Sequence, residues 1–173
     1  MPEQKAVIMD ADGVRRALTR IALEIVEKNR GAEHIILAGV RTRGVYLARR
    51  IAARLGEAEG NAPPVIELDT TPWRDDLPRM EREVPPAVPR VENATVVIVD
   101  DVLYTGRTVR AAIEAISHMG RAGRIQLAAL VDRGHREIPI RPDYIGKNLP
   151  TSRGERVVVH LTEVDGEDNV SIL

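Results

Sequence analysis

The sequence predicts an α/β protein, a mainly parallel sheet flanked by helices, on three observations. Short apolar runs alternate with amphipathic stretches of helical period, the βαβ order that implies parallel strands joined by right-handed crossovers. Aromatic residues make up 2% of the chain and phenylalanine is absent. The core must therefore be assembled from Val, Ile, Leu and Ala, as in strands covered by helices on both faces. Finally, 173 residues of which 43% are hydrophobic suffice for one core but hardly for two, so residues 1–173 are read as a single domain.

From Asp12 onward, Val14, Ala17, Leu18, Ile21, Ile25 and Val26 recur at helical spacing, with Asp12 as N-cap and Gly31 as the stop. The other face of this helix shows Arg15, Arg16, Thr19 and Arg20. Residues 34–40 read as a buried strand, 44–55 as a helix and Val65–Leu68 as a second strand. Residues 70–90 hold five prolines and charges of both signs. No apolar period there can bury the stretch, so a mobile loop or projecting hairpin is expected over about 70–92. A third strand at 95–99, a helix at Arg107–Met119 and a fourth strand at 125–131 follow. After Gly134 the pattern breaks into proline-containing turns, and 156–161 and Asn169–Ile172 read as strands that close the domain.

The composition excludes several classes. The chain has no cysteine, which removes disulfides and thiolate metal sites. Residues 1–10 lack the regions of a signal peptide, and runs such as 35–40 and 95–99 fall far short of the ~20 residues needed to span a bilayer. A cytoplasmic protein without a membrane segment is expected. A formal charge of −1 argues against a wholesale polyanion binder, although it can conceal a basic face balanced by an acidic one.

Chemistry concentrates in residues 96–108, VVIVDDVLYTGRT. In an open parallel sheet, ligands bind where strands deliver their carboxyl ends, and this strand delivers Asp100 and Asp101. Adjacent residues point to opposite faces of a strand, so both carboxylates serve one ligand only if the chain turns there. Given such a turn, they can grip two vicinal hydroxyls, as on a ribose. The following Tyr104-Thr105-Gly106-Arg107-Thr108 turns small residues and backbone N–H groups toward the start of a helix, which favours a phosphate. The Lys-Ser/Thr of a P-loop is missing, so a phosphate monoester suits better than a nucleoside triphosphate. Either piece alone is a common strand end or helix cap, but a diol grip joined to a monophosphate cradle describes ribose 5-phosphate.

These residues resemble the phosphoribosyl pyrophosphate (PRPP) signature of type I phosphoribosyltransferases. The resemblance implies a mainly parallel Rossmann-like sheet flanked by helices, with a mobile hood loop. Asp100 and Asp101 would be catalytic, holding the ribose hydroxyls and favouring positive charge on the ring, while Val102, Leu103, Tyr104, Thr105, Gly106, Arg107 and Thr108 would bind substrate around the 5-phosphate. The family's second element, a loop after the first core strand, is matched by Gly39-Val40-Arg41-Thr42-Arg43-Gly44. There Arg41, Thr42 and Arg43 would face the pyrophosphate, and a non-proline cis peptide is expected. By itself this segment also reads as an ordinary strand-to-helix turn. Arg74 would be the catalytic residue of the hood; with Asp75 and Asp76 it reads equally as a solvated charge run.

Three further segments narrow the resemblance: 15–20 (RRALTR), 131–137 (VDRGHRE) and 143–148 (DYIGKN). With the two loops they run nearly end to end, except over 79–90, and they are similar to the PyrR family of pyrimidine-operon attenuation regulators that are also uracil phosphoribosyltransferases. The implied reaction joins uracil to PRPP, giving UMP and diphosphate, with Mg2+ carried mainly by the diphosphate and no dedicated protein metal site. The base pocket would form around Val131, Arg133 and Ile138. Regulation implies UMP or UTP as the sensed ligand and a leader mRNA of the pyrimidine operon as partner, with Arg16, Thr19, Arg20, Thr42, His135, Arg136, Arg141 and Lys147 as RNA contacts. Charge is segregated to match: residues 133–156 hold six Lys or Arg against three acids, and 161–173 hold four acids and no base. One departure is Leu23, where relatives often place a histidine. A homodimer or higher oligomer is implied as well. A salvage enzyme for another base, or an RNA regulator with vestigial catalysis, are the competing readings.

Overall fold

The computed structural model describes residues 6–78 and 90–173. Its centre is a five-stranded sheet made of β2 (Ile35–Val40), β3 (Val65–Leu68), β4 (Thr95–Leu103), β5 (Arg124–Asp132) and β6 (Tyr144–Asn148), in the order β3-β2-β4-β5-β6. Every neighbouring pair is parallel. Helices α1 (Ala11–Asn29) and α2 (Arg43–Glu59) cover one face, and α3 (Arg107–Met119) covers the other. Alternation along the strands feeds both cores: Leu37, Val97 and Val99 pack with α1 and α2, while Ile36, Ala38, Val96 and Ile98 pack with α3. Both layers are aliphatic, apart from Trp73 in one and Tyr144 in the other. A small antiparallel sheet, β1 (Ala6–Met9), β8 (Asn169–Ile172) and β7 (Val157–His160), joins the two ends of the described chain.

Several expectations are corrected. Asp10, not Asp12, caps α1: its backbone is extended and its side chain accepts from the N–H of Gly13 at 2.7 Å. The helix ends at Arg30 in the left-handed region, and the Gly31 N–H returns to the carbonyl of Val26. β6 falls within the stretch read as turns, since the sequence YIGKN between Pro142 and Pro150 carries little strand signal of its own. Pairing with β5 and cover from α1 make it a strand. β1 and the short α4 (Thr162–Asp165) were likewise unread. The stretch expected to be mobile divides. Residues 71–73 form a 3-10 turn whose buried Trp73 stacks on His118 of α3 at 4.1 Å. Val91 is buried, and residues 79–89 lie outside the described residues.

Candidate active site

In chain order β2 leads to β3 on one side of it and then, through β4, to the other. The order therefore reverses between β2 and β4, and the carboxyl ends of those two strands flank the crevice where open α/β sheets take ligands. The two predicted loops leave from these strands. Gly39 pairs with Val99 in the β2–β4 ladder, so the 41–44 turn and the Asp100–Asp101 end of β4 are side by side. Two glycines make this approach possible. A Cβ on Gly39 would collide with the backbone of Gly44 and Val45, and one on Gly44 with the carbonyl oxygen of Val99. The Arg41–Thr42 peptide bond is cis, as the resemblance implied.

The premise that the chain turns at the two aspartates is corrected: β4 continues as strand to Leu103, with Asp100, Val102 and Leu103 still paired to β5. The carboxyl groups nonetheless interact. Asp100 is 9% exposed, and its carboxyl accepts from the N–H of Asp101 at 2.9 Å; that of Asp101 accepts from the N–H of Val102 at 2.8 Å. Burial, and then the charge and hydrogen bond of Asp101, hold the Asp100 carboxyl well above the usual range. Beyond β4, Gly106 takes φ 92° as the N-cap of α3, and Thr105 Oγ1 accepts from the Arg107 N–H at 3.3 Å. The first-turn amides of α3 have no partner within the helix, and with the neighbouring hydroxyls of Thr105 and Thr108 they make a donor set suited to an oxyanion.

Arg74 reaches this loop from outside it. Its Nη1 donates to Thr108 Oγ1 at 2.9 Å while Nε and Nη2 fork onto Asp76 at 2.7 and 2.6 Å, which raises the guanidinium pKa further. Its charge also acts on Asp100. Arg107 bridges outward to Asp75 at 2.9 Å and Glu137 at 3.0 Å. Neither pairing with Asp75 nor that with Glu137 had a signal in sequence, because the partners lie about thirty residues away on either side.

Other predicted residues are placed differently. Arg41 is exposed, with loose pairs to Glu67 at 3.5 Å and Asp69 at 3.9 Å. Arg43 is turned away: its fork grips Asp165 at 2.8 and 3.2 Å. Val131 is fully buried within β5 and paired to both β4 and β6, as is the half-buried Asp132 that ends the strand. Arg133 is buried, lies over the ring of Tyr104 at 4.1 Å and donates to the carbonyls of Ser152 and Glu155. Its Nε is buried with no hydrogen-bond partner among the described residues. Ile138 is half-buried, and its N–H donates to Thr105 O at 3.1 Å.

Of the basic residues, Arg16, Arg20 and Lys147 line one groove of about 490 Å³ with residues 7–10 of β1 and the α1 start. Thr19 bonds back to Arg15 O, Thr42 and Arg141 are exposed, and His135 Nε2 donates to Thr151 O. Arg136 was read as an RNA contact. Its guanidinium instead points inward, onto Asp132, Tyr104 O and Ile140 O. Among the described residues no group of three or more His, Asp or Glu could hold a metal, and no helix is long and apolar enough to cross a membrane.

The switch-point crevice, the paired aspartates and the phosphate loop define a phosphoribosyltransferase, and residues 8–163 match the family model of the phosphoribosyl transferase domain. Solved structures agree at the level of fold. Hypoxanthine phosphoribosyltransferases from Trypanosoma cruzi and Staphylococcus aureus superpose with TM-scores of 0.75 and 0.71 at 15% identity, covering 98% and 97% of this chain and 97% and 92% of theirs. The bifunctional proteins PyrR of Bacillus pumilus and Bacillus subtilis are each 54% identical to the chain, over 98% of its length and 98% and 97% of theirs. The chain belongs to the PyrR family.

Proposed function

We propose that this chain is a uridine-nucleotide-dependent RNA-binding regulator of pyrimidine-operon transcription attenuation that also converts uracil and PRPP to UMP and diphosphate. The observation that carries the reading is the meeting, at the β2–β4 switch point, of the Asp100–Asp101 strand end, the 103–108 phosphate loop and the 41–42 turn. The family supports both activities.

In the transfer, a bond forms from N1 of uracil to C1 of the ribose, the bond from C1 to the diphosphate oxygen breaks, and the N1 proton passes to solvent. Asp100 and Asp101 hold the ribose hydroxyls and stabilise the positive charge that develops on the ring. The loop from Leu103 to Thr108 seats the 5-phosphate. Arg41 and the amides of the 41–44 turn face the diphosphate, and Arg74, already on Thr108, is the cation nearest to that loop from the 70–78 segment. The buried Nε–H of Arg133 is a donor of the kind a base carbonyl requires. Asp100 and Asp101 are the carboxylates that would hold a Mg2+ carried by the diphosphate, since Mg2+ is commonly held by one or two carboxylates plus substrate phosphates, and the ion would supply neutralisation of the leaving group.

For RNA, the groove of Arg16, Arg20 and Lys147 supplies cations for backbone phosphates, with Thr42, His135 and Arg141 nearby in function as loop contacts. UMP or UTP would occupy the PRPP site and set the regulatory state. The protein would act in the cytoplasm as one domain, assembled as a homodimer or larger oligomer. PRPP consumption measured with uracil, adenine, hypoxanthine and orotate tests the enzyme reading. Turnover is expected with uracil; activity with a purine alone would overturn it.

A further inference from the structure

The loop after β5, residues 133–141, is fastened to the phosphate loop by several hydrogen bonds, although the two segments lie about thirty residues apart in sequence. Arg133 N–H donates to Leu103 O at 3.1 Å, and the N–H groups of Glu137 and Ile138 both donate to Thr105 O, at 2.9 and 3.1 Å. One side chain ties these together. Arg136 gives Nη1 to Tyr104 O at 2.6 Å, Nη2 to Asp132 Oδ2 at 2.7 Å and Nε to Ile140 O at 2.9 Å. The other oxygen of Asp132 accepts from the Gly134 N–H at 3.0 Å, so the carboxylate shapes the loop and anchors the arginine at once. A Cβ on Gly106 would meet Arg136 Cδ at 3.4 Å, which places the arginine stem against the turn that starts α3.

The Arg136 side chain is 22% exposed and that of Asp132 12% exposed. A planar, permanently charged fork is what this three-way junction requires, since lysine offers a point charge and no fixed geometry. Tyr104 is held from two further sides, by Arg133 over its ring face and by the edge of His135 at 5.9 Å, and His135 in turn reaches Thr151 O.

We propose that Arg136 is a positioning residue: it clamps the base-side loop onto the phosphate loop, so that a nucleotide seated on residues 103–108 orders the loop that carries His135 and Arg141. The inference rests on the assignment of that loop to the 5-phosphate, and it gives the regulation of the same site a physical route. Arg136 need not touch the nucleotide or the RNA. Its removal frees Tyr104 O and leaves the Asp132 carboxylate half-buried without its cation, so both loops lose their shared reference.

The test compares wild type, Arg136→Gln and Asp132→Asn by calorimetric UMP binding, by KM and kcat for PRPP and uracil, and by leader-RNA gel shift with and without UMP. Arg136→Gln is expected to raise the UMP Kd and the PRPP KM about tenfold to a hundredfold, as misplacement of a positioned group does. RNA binding without UMP should persist while its enhancement by UMP disappears. Asp132→Asn, which keeps the arginine in place, should shift the same quantities several-fold and carries the test if the first variant does not fold. Wild-type UMP affinity and PRPP KM in either folded variant, with weaker RNA binding at every UMP level, would overturn the proposal and make Arg136 an RNA contact. Failure of the wild-type protein to bind UMP or consume PRPP would overturn the phosphate-loop assignment itself.

Discussion

Asp100 stands at the conflict between folding and function. Its carboxyl is buried at the end of a core strand and is held above the usual range first by that burial and then by Asp101. A raised acid contributes fully to stability below its unfolded pKa of ~3.9, and that contribution is lost as pH rises through the folded-state value. Above the unfolded pKa, the reluctance of the buried carboxyl to ionise therefore opposes folding of the ligand-free protein. Asp100→Asn keeps an acceptor for the Asp101 N–H and turns the other edge into a permanent donor toward Asp101. The variant is expected to melt higher than wild type at pH 8, by about 1 kcal/mol or about 2–4 °C, with the gain vanishing toward pH 4, while PRPP turnover is abolished. Thermal melts across that range check the sign; a variant less stable at pH 8 would contradict it. The arginines teach the same lesson in reverse. The resemblance brought Arg43, Arg133 and Arg136 forward as ligand contacts, but a guanidinium is as well suited to carbonyls and carboxylates of its own chain: those of Arg43 and Arg136 are spent there, and that of Arg133 keeps only its Nε.

Between elements, the C-terminal acids are a fastening. Arg50 of α2 forks onto Asp168 at 2.7 and 2.8 Å and onto Glu163 at 2.5 Å from Nη2 and 2.9 Å from Nε, while Arg43 holds Asp165. This ties the turn between β7 and β8 to the helix that begins at the cis peptide. Arg50, ahead of the cost of burial, depresses the Asp168 carboxyl to about 2 and lowers Glu163 as well. A depressed acid stabilises above its unfolded pKa of ~3.9 and loses that contribution as pH falls through the folded value. Arg50→Gln should thus cost about 1–3 kcal/mol at pH 7, and the gap from wild type should close between pH ~4 and about 2. Acid titration of both proteins followed by circular dichroism measures it. The helix Arg107–Met119 and the strand Val65–Leu68 were legible to the residue, since Gly106 and Gly120 bracket the one and flanking prolines the other. β6 was not, because its five residues are strand-like only when laid beside β5.

For the molecule as a whole, near-neutral charge conceals separation: acids gather at the C-terminal fastening and bases at the groove of Arg16, Arg20 and Lys147. If these three meet phosphates of single-stranded RNA, log K should fall with log salt at a slope of about −2, or about 20-fold between ~50 and ~200 mM. Each of Arg16→Gln, Arg20→Gln and Lys147→Gln should reduce the slope by about 0.7 and leave uracil turnover untouched. A gel shift with UMP present, repeated at several salt concentrations, reads this directly; a flat salt response would remove the groove from the RNA surface. Leu23 lies exposed on the same helix, and no cation from that position adds to the slope.

By itself the sequence determined the class of fold and singled out the Asp-Asp strand end with the glycine turn after it, because hydrophobic period, glycine spacing and the Asp-Asp strand end are local properties that a single stretch of chain expresses. The resemblance of five separated segments extended this to the base and the RNA. Tertiary structure alone decided that β4 runs straight through both aspartates, that the order of strands reverses beside them, and which arginines bond to carbonyls and carboxylates of their own chain. Those outcomes depend on pairing between segments from about thirty to more than a hundred residues apart, and the energy of such contacts is set by geometry and burial that no local pattern encodes.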